Sequence, residues 1–83
     1  MKISLDISLY PLHPDFKKDI KKFIKKLSKN ENIIVLTNGL STQLFGEYDE
    51  VMNTVNKELK KVFSSEEKFT VVIKMMNADR SHK

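Results

Sequence analysis

The chain contains no cysteine, and only two glycines and two prolines among its 83 residues. Without cysteine there is no disulfide framework and no thiolate chemistry. Two isolated glycines cannot build a glycine-rich phosphate loop, and no histidine–carboxylate spacing or metal motif is present either. No stretch approaches the roughly 18 apolar residues of a membrane-spanning helix, so no membrane insertion is expected. The opening "MKISLDISLYP" is interrupted at Asp6 and Ser8, which breaks any leader-like apolar run. A cytoplasmic location is the resulting expectation. At this length a single domain, residues 1–83, is expected, with one modest core that gains stability if a partner covers an open face.

The net charge is +4. Most of the excess lies in "KKDIKKFIKKLSK", where lysine pairs separate apolar residues and fit a solvated helix face. The pairs lack the arginine and interleaved aromatics of a nucleic-acid surface.

Two apolar periods alternate along the chain. "KISLDISLY" places Ile3, Leu5, Ile7 and Leu9 on one face and Lys2, Ser4, Asp6, Ser8 and Tyr10 on the other, which predicts a half-buried strand. "HPDFKKDIKKFIKKLSKN" spaces Phe16, Ile20, Phe23, Ile24 and Leu27 at helical intervals, with Pro14 and Asp15 suited to its start. "NIIVLTNGLSTQLFG" predicts a hairpin turning at Asn38-Gly39, since both residues tolerate positive φ. "YDEVMNTVNKELKKVF" predicts a second helix with a buried stripe of Tyr48, Val51, Met52, Val55, Leu59, Val62 and Phe63, and "KFTVVIKMMN" a last strand.

The order βαββαβ is solved most simply by two right-handed crossovers around a central hairpin. That is an α+β, ferredoxin-like (ACT-like) sandwich: a four-stranded antiparallel sheet in the order 4-1-3-2, with both helices on one face. The other face is left open. A two-residue turn would pair Thr37 with Leu40, Leu36 with Ser41, Val35 with Thr42 and Ile34 with Gln43. Leu40 and Leu44 would then face the helices with Thr42. Ser41, Gln43 and Phe45 would face outward beside Ile34 and Leu36. The first strand adds Asp6, Ser8 and Tyr10 to the outward set, and the last strand Thr70, Val72, Lys74 and Met76. Tyr10 is expected beside Ser41, Ser8 beside Gln43, and Asp6 beside Phe45. Such a surface is too apolar to stay bare and too polar for plain core. A sheet-to-sheet homodimer enclosing a small-molecule pocket satisfies both conditions; a dimer interface without ligand is the simpler alternative.

The segments "ISLYPL", "DF" at Asp15–Phe16, "LSTQLFGEYDEV" and "VVIKMMNAD" resemble one repeat of the YkoF-type thiamin/hydroxymethylpyrimidine-binding family, over nearly the whole chain. The better-known form carries two such repeats, so a homodimer or homotetramer formed through sheet faces would supply the second. The resemblance implies non-catalytic binding of thiamin or of its hydroxymethylpyrimidine half, with no separate cofactor, in vitamin salvage or transport, and admits a transporter component as partner. Matched positions are Ser8 and Tyr10 in "SLYP" and Ser41 and Thr42 in "ST". The chemistry of an aminopyrimidine adds Asn38 and Gln43 as donors and acceptors, and Tyr10 or Phe45 as a stacking ring. Asp6 could offset the thiazolium charge. For Thr42 a helix-facing, backbone-serving role is expected ahead of direct ligand contact.

Three other readings compete. For an enzyme the candidates are His13, His82, Asp6, Glu47 and Asp49. His82 stands in the tail, His13 borders the first helix, and Glu47, Asp49 and Glu50 suit the second helix's positive end. No catalysis is therefore expected. An RNA-binding module would stack bases on Tyr10 and Phe45, but its sequence signature is absent and Asp6 would repel phosphate. An ACT-like module binding an amino acid shares the architecture and differs only in ligand class.

Overall fold

The computed structural model describes residues 1–14 and 16–81, with Phe16 described in its backbone alone; Asp15 and His82 lie outside the described residues. The elements are β1 (Lys2–Pro11), α1 (Phe16–Leu27), β2 (Ile34–Thr37), β3 (Thr42–Glu47), α2 (Tyr48–Phe63) and β4 (Phe69–Met76). The strands form one antiparallel sheet in the order β2-β3-β1-β4. This is the ferredoxin-like α+β sandwich expected from the periodicities.

β1 is the strand on which the rest is assembled. Its alternation buries Ile3, Leu5 and Ile7 to 2 % exposure or less and leaves Ser4, Asp6 and Ser8 half-buried on the opposite face. The buried set joins Phe23 and Leu27 of α1, Leu44 of β3, and Val51 and Val55 of α2 in one core. Both helices therefore cover the same face of the sheet.

α1 carries Phe23 and Leu27 into that core at the expected spacing. α2 departs from its expected stripe at both ends: Tyr48 and Phe63 are exposed, while Glu58 is buried. The physical reason is length. A 16-residue helix runs past the edge of a small core, so its terminal turns protrude. Asp49 and Glu50 lie in its first turn, as suits the dipole. Glu47 stands at the N-cap position but makes no side-chain cap, because its carboxylate takes the N-terminal ammonium of Met1 at 2.9 Å.

Two register expectations are corrected. The hairpin pairs Thr37 with Thr42, Leu36 with Gln43, Val35 with Leu44 and Ile34 with Phe45. Residues 38–41 form the turn, and Gly39 does not have positive φ. Asn38 drives this: its side-chain oxygen accepts the backbone N–H of Leu40 (2.8 Å) and of Ser41 (3.1 Å), an Asx arrangement that widens the turn. Leu40 is consequently 89 % exposed at the loop tip, not packed under the helices. Likewise β1 pairs Ser4 with Phe45 and Asp6 with Gln43, two residues away from the expected alignment. Both shifts are by an even number, so the side chains that remain within the strands keep their expected face, while Leu40 leaves it for the loop.

The corrected register separates two leucines that the sequence treats alike. Leu44→Ala, at a fully buried position, is expected to cost about 2–5 kcal/mol. Leu40→Ala should stay within about 0.5 kcal/mol. Urea unfolding of the two variants checks both values, and a large loss at Leu40 would contradict the four-residue turn.

Candidate functional site

The face of the sheet turned away from the helices carries a closed polar cluster at its middle. Asp6 and Gln43 are direct cross-strand partners, and Ser41 stands two residues before Gln43, at the end of the turn that leads into β3. The Ser41 hydroxyl donates to Asp6 Oδ1. Gln43 Nε2 donates to the same oxygen at 3.1 Å and to Ser41 Oγ at 2.7 Å. The hydrogen bond from Ser41, opposed by burial and helped by Gln43 and the Lys74 ammonium, holds the Asp6 carboxyl below its ordinary value. Lys74 is there because it is the partner of Asp6 on β4. Among the described residues no side chain or backbone donor occupies Gln43 Oε1.

Ser8 and Tyr10 continue the same face along β1 beyond Asp6, facing Val72 and Thr70 of β4. Tyr10 and Val72 are both more than half exposed, and Ile34, Leu36 and Met76 are nearly so. Phe45 shares the face but only 7 % of it is exposed. Its cross-strand neighbour Ser4 explains the difference: the Ser4 hydroxyl donates to the carbonyl of Ala78 (2.6 Å) and accepts the N–H of Arg80 (2.9 Å). The segment after β4 thus turns back over the sheet at that end. The open face is closed at the Ser4–Phe45 end and bare at the Ser8–Tyr10 end.

Thr42 points the other way. It is buried on the helix side, its hydroxyl 3.1 Å from that of Thr37. This pair borders a cavity of about 420 Å³ beneath α1, walled by Leu9, Ile20 and Phe23, with the exposed loop residue Leu40 at its mouth and Ser8, Tyr10, Asn38 and Ser41 along its edge. That volume suits a small organic molecule. Asn38 holds the rim but commits its side-chain oxygen to its own loop. The candidates therefore divide. Asp6, Ser41 and Gln43 bond directly, with Ser8 and Tyr10 adjoining; Thr42 and Asn38 belong to the cavity side; Phe45 lies at the closed end.

Lys74, Thr37 and Ser4 were not among the sequence candidates. Alternation alone put Lys74 on this face, but nothing local pairs it with Asp6. Thr37 enters through the widened turn, and Ser4 through a contact made 74 residues away in sequence.

His13 borders α1, as expected, with Nε2 2.7 Å from Asp19 Oδ2 and its ring edge-on to Phe69 at 5.6 Å. Among the described residues no group of three or more His, Cys, Asp or Glu could hold a metal ion, and no helix is long and apolar enough to cross a membrane.

Comparison with known proteins gives one family and a set of similar folds. The model of the YKOF-related family matches residues 2–79. No curated protein matches the chain significantly. Among solved structures, a Streptococcus pneumoniae protein superposes with a TM-score of 0.84 at 22% identity, covering 96% of this chain and 90% of that one. A hypothetical protein of Methanocaldococcus jannascii gives 0.78 at 23% identity, with 95% and 82% covered. A candidate thiamine biosynthesis/salvage protein of Thermotoga maritima gives 0.78 at 20% identity, with 94% and 85% covered.

The lowered pKa of Asp6 has a stability consequence. A carboxyl depressed in the folded state contributes stability above its unfolded value, near 3.8, and that contribution is lost as pH falls through the lower folded value. Ser41→Ala removes the largest cause of the depression. The stability gap between wild type and Ser41→Ala should be widest near neutrality and shrink below pH 3.8, as read from urea midpoints at about pH 7 and about pH 2. A pH-independent gap would show that Ser41 does not act through Asp6.

Proposed function

The chain belongs to the YKOF-related family, and from that premise we propose that it binds thiamin or the hydroxymethylpyrimidine half of thiamin without transforming it. The observation that carries this reading is the Asp6–Ser41–Gln43 cluster, a preorganised polar centre on an exposed sheet face that also carries Ile34, Leu36 and Val72. The thiamine description of the similar Thermotoga maritima protein agrees with it in ligand class.

An aminopyrimidine is a flat plate with an exocyclic amino donor and ring-nitrogen acceptors. Gln43 Oε1 can accept from the amino group, and Ser8 can donate to a ring nitrogen. Tyr10, half exposed beside Val72, supplies a ring against which the plate can stack. The ionised Asp6 carries a negative charge for the thiazolium of intact thiamin, partly offset by Lys74. In this reading the ligand needs no separate cofactor. A second copy of the chain, face to face, covers Ile34, Leu36 and Val72 and encloses the ligand in a homodimer or homotetramer. Its place is that of a cytoplasmic carrier or salvage binder, with a transporter component as one possible recipient. An RNA strand fits this face less well, because an ionised carboxylate sits at its centre.

The cavity under α1 favours a second position for the same ligand. Its apolar walls and its threonine pair would take the pyrimidine edge-in from the loop end. Ser41 lies at the boundary of both positions, whereas Gln43 belongs to the open face and Thr37 to the cavity.

Calorimetric titration with thiamin and with hydroxymethylpyrimidine, against an amino-acid mixture, tests the function. Saturable binding of a pyrimidine is expected, weakened at least about tenfold by Ser41→Ala. Loss with Gln43→Ala places the ligand on the open face; loss with Thr37→Val places it in the cavity; Tyr10→Ala weakens binding in either position, since Tyr10 borders both. Heat with amino acids and none with either pyrimidine would replace this function with an ACT-like one.

A further inference from the structure

The outer side of the helix layer holds a second, unrelated feature. α1 and α2 run antiparallel, tied where α1 ends by Asn30 Nδ2, which donates to Glu50 Oε1 (3.0 Å) and Thr54 Oγ1 (2.9 Å). Beside this tie the groove between the helices opens into a cleft of about 350 Å³. Its charged walls are Lys26 and Lys29 from the α1 side and Lys57 and Lys61 from α2, with one acid, Glu58. The local balance is 4 − 1 = +3.

Helix dipoles do not account for this convergence. Cations in the last turn suit the negative end of a helix, which covers Lys26 in α1 and Lys61 in α2. Lys57 stands a turn before that end of α2 and nonetheless faces the α1 lysines across the cleft. Glu58 is buried, with Oε2 3.8 Å from Lys61 Nζ, so it serves that one lysine. Among the described residues Lys26, Lys29 and Lys57 make no ion pair with any carboxylate. Three lysines without an ion-pair partner thus line one cleft whose single acid, Glu58, is already engaged by Lys61. Like charges held together this way raise the local potential and favour a multivalent counter-ion.

We propose that this cleft binds a small multivalent phosphate, a diphosphate or a phosphate monoester, free or as the end of a larger molecule. Each lysine offers three donors around a point charge, and the Thr54 hydroxyl lies among them. The cleft is on the helix side of the sandwich and the Asp6 cluster on the far side of the sheet, so the phosphate site stands independently of the pyrimidine reading.

Calorimetry with sodium pyrophosphate, in about 20 mM and about 200 mM salt, tests it. Saturable one-to-one binding is expected at low salt, weaker at high salt, and reduced at least about tenfold in Lys29→Ala/Lys57→Ala. Both side chains are exposed, so the variant should keep the wild-type circular dichroism and melting temperature. Lys17→Ala/Lys18→Ala removes the same charge elsewhere on α1 and should leave binding nearly unchanged. Vesicles bearing phosphoinositide headgroups form a second arm: binding there as well as to pyrophosphate points to a lipid source, and binding to pyrophosphate alone to a soluble one. No saturable heat with pyrophosphate, or equal weakening in the two double variants, overturns the site.

Discussion

Everything in this fold hangs on the alternation of β1. One strand supplies Ile3, Leu5 and Ile7 to the core and Ser4, Asp6 and Ser8 to the opposite face, and it is hydrogen-bonded on both edges. A slip by one residue would put Asp6 among Leu44, Val51 and Val55 and Leu5 in the open. Burying an unpaired carboxylate is costly enough to forbid that register. The alternation therefore determines which way both neighbouring strands face, and through them where the helices pack.

Asp6 then turns a constraint into a site. A carboxylate at the centre of a sheet face needs partners, and the turn before β3 provides Ser41 and β3 itself Gln43. The same bonds that keep the charge satisfied also pin the β1–β3 register, together with the Met1–Glu47 contact and the bond from the Tyr48 N–H to the Met1 carbonyl at the other end of the pair. The folded-over segment at Ser4 closes one end of the face and leaves the other bare. The result is a face with polarity along its length.

The helix layer shows a different balance. Its inner side is ordinary amphipathic packing, but its outer groove gathers lysines from two segments far apart in the chain. Taken helix by helix, these lysines look like solvated surface. Their convergence arises only because α1 and α2 pack antiparallel with Asn30 opposite Thr54.

Element type and order, the strand order and the face of nearly every strand residue were determined by the sequence alone, because a period of two or of 3.6 is a local property that survives an error of two in register. Membership of Asp6, Ser8, Tyr10, Gln43 and Phe45 in one face was legible for the same reason. Which of them touch was decided only in three dimensions. The Asn38 side chain widened the turn, which moved Leu40 out and set Thr42 opposite Thr37, and the separate β1–β3 register brought Gln43, not Phe45, to Asp6. The burial of Phe45, the exposure of Tyr48 and Phe63, and the meeting of Lys57 with Lys26 also depend on contacts between segments distant in sequence. Periodicity carries no information about such contacts, since they are set by how the finished elements pack.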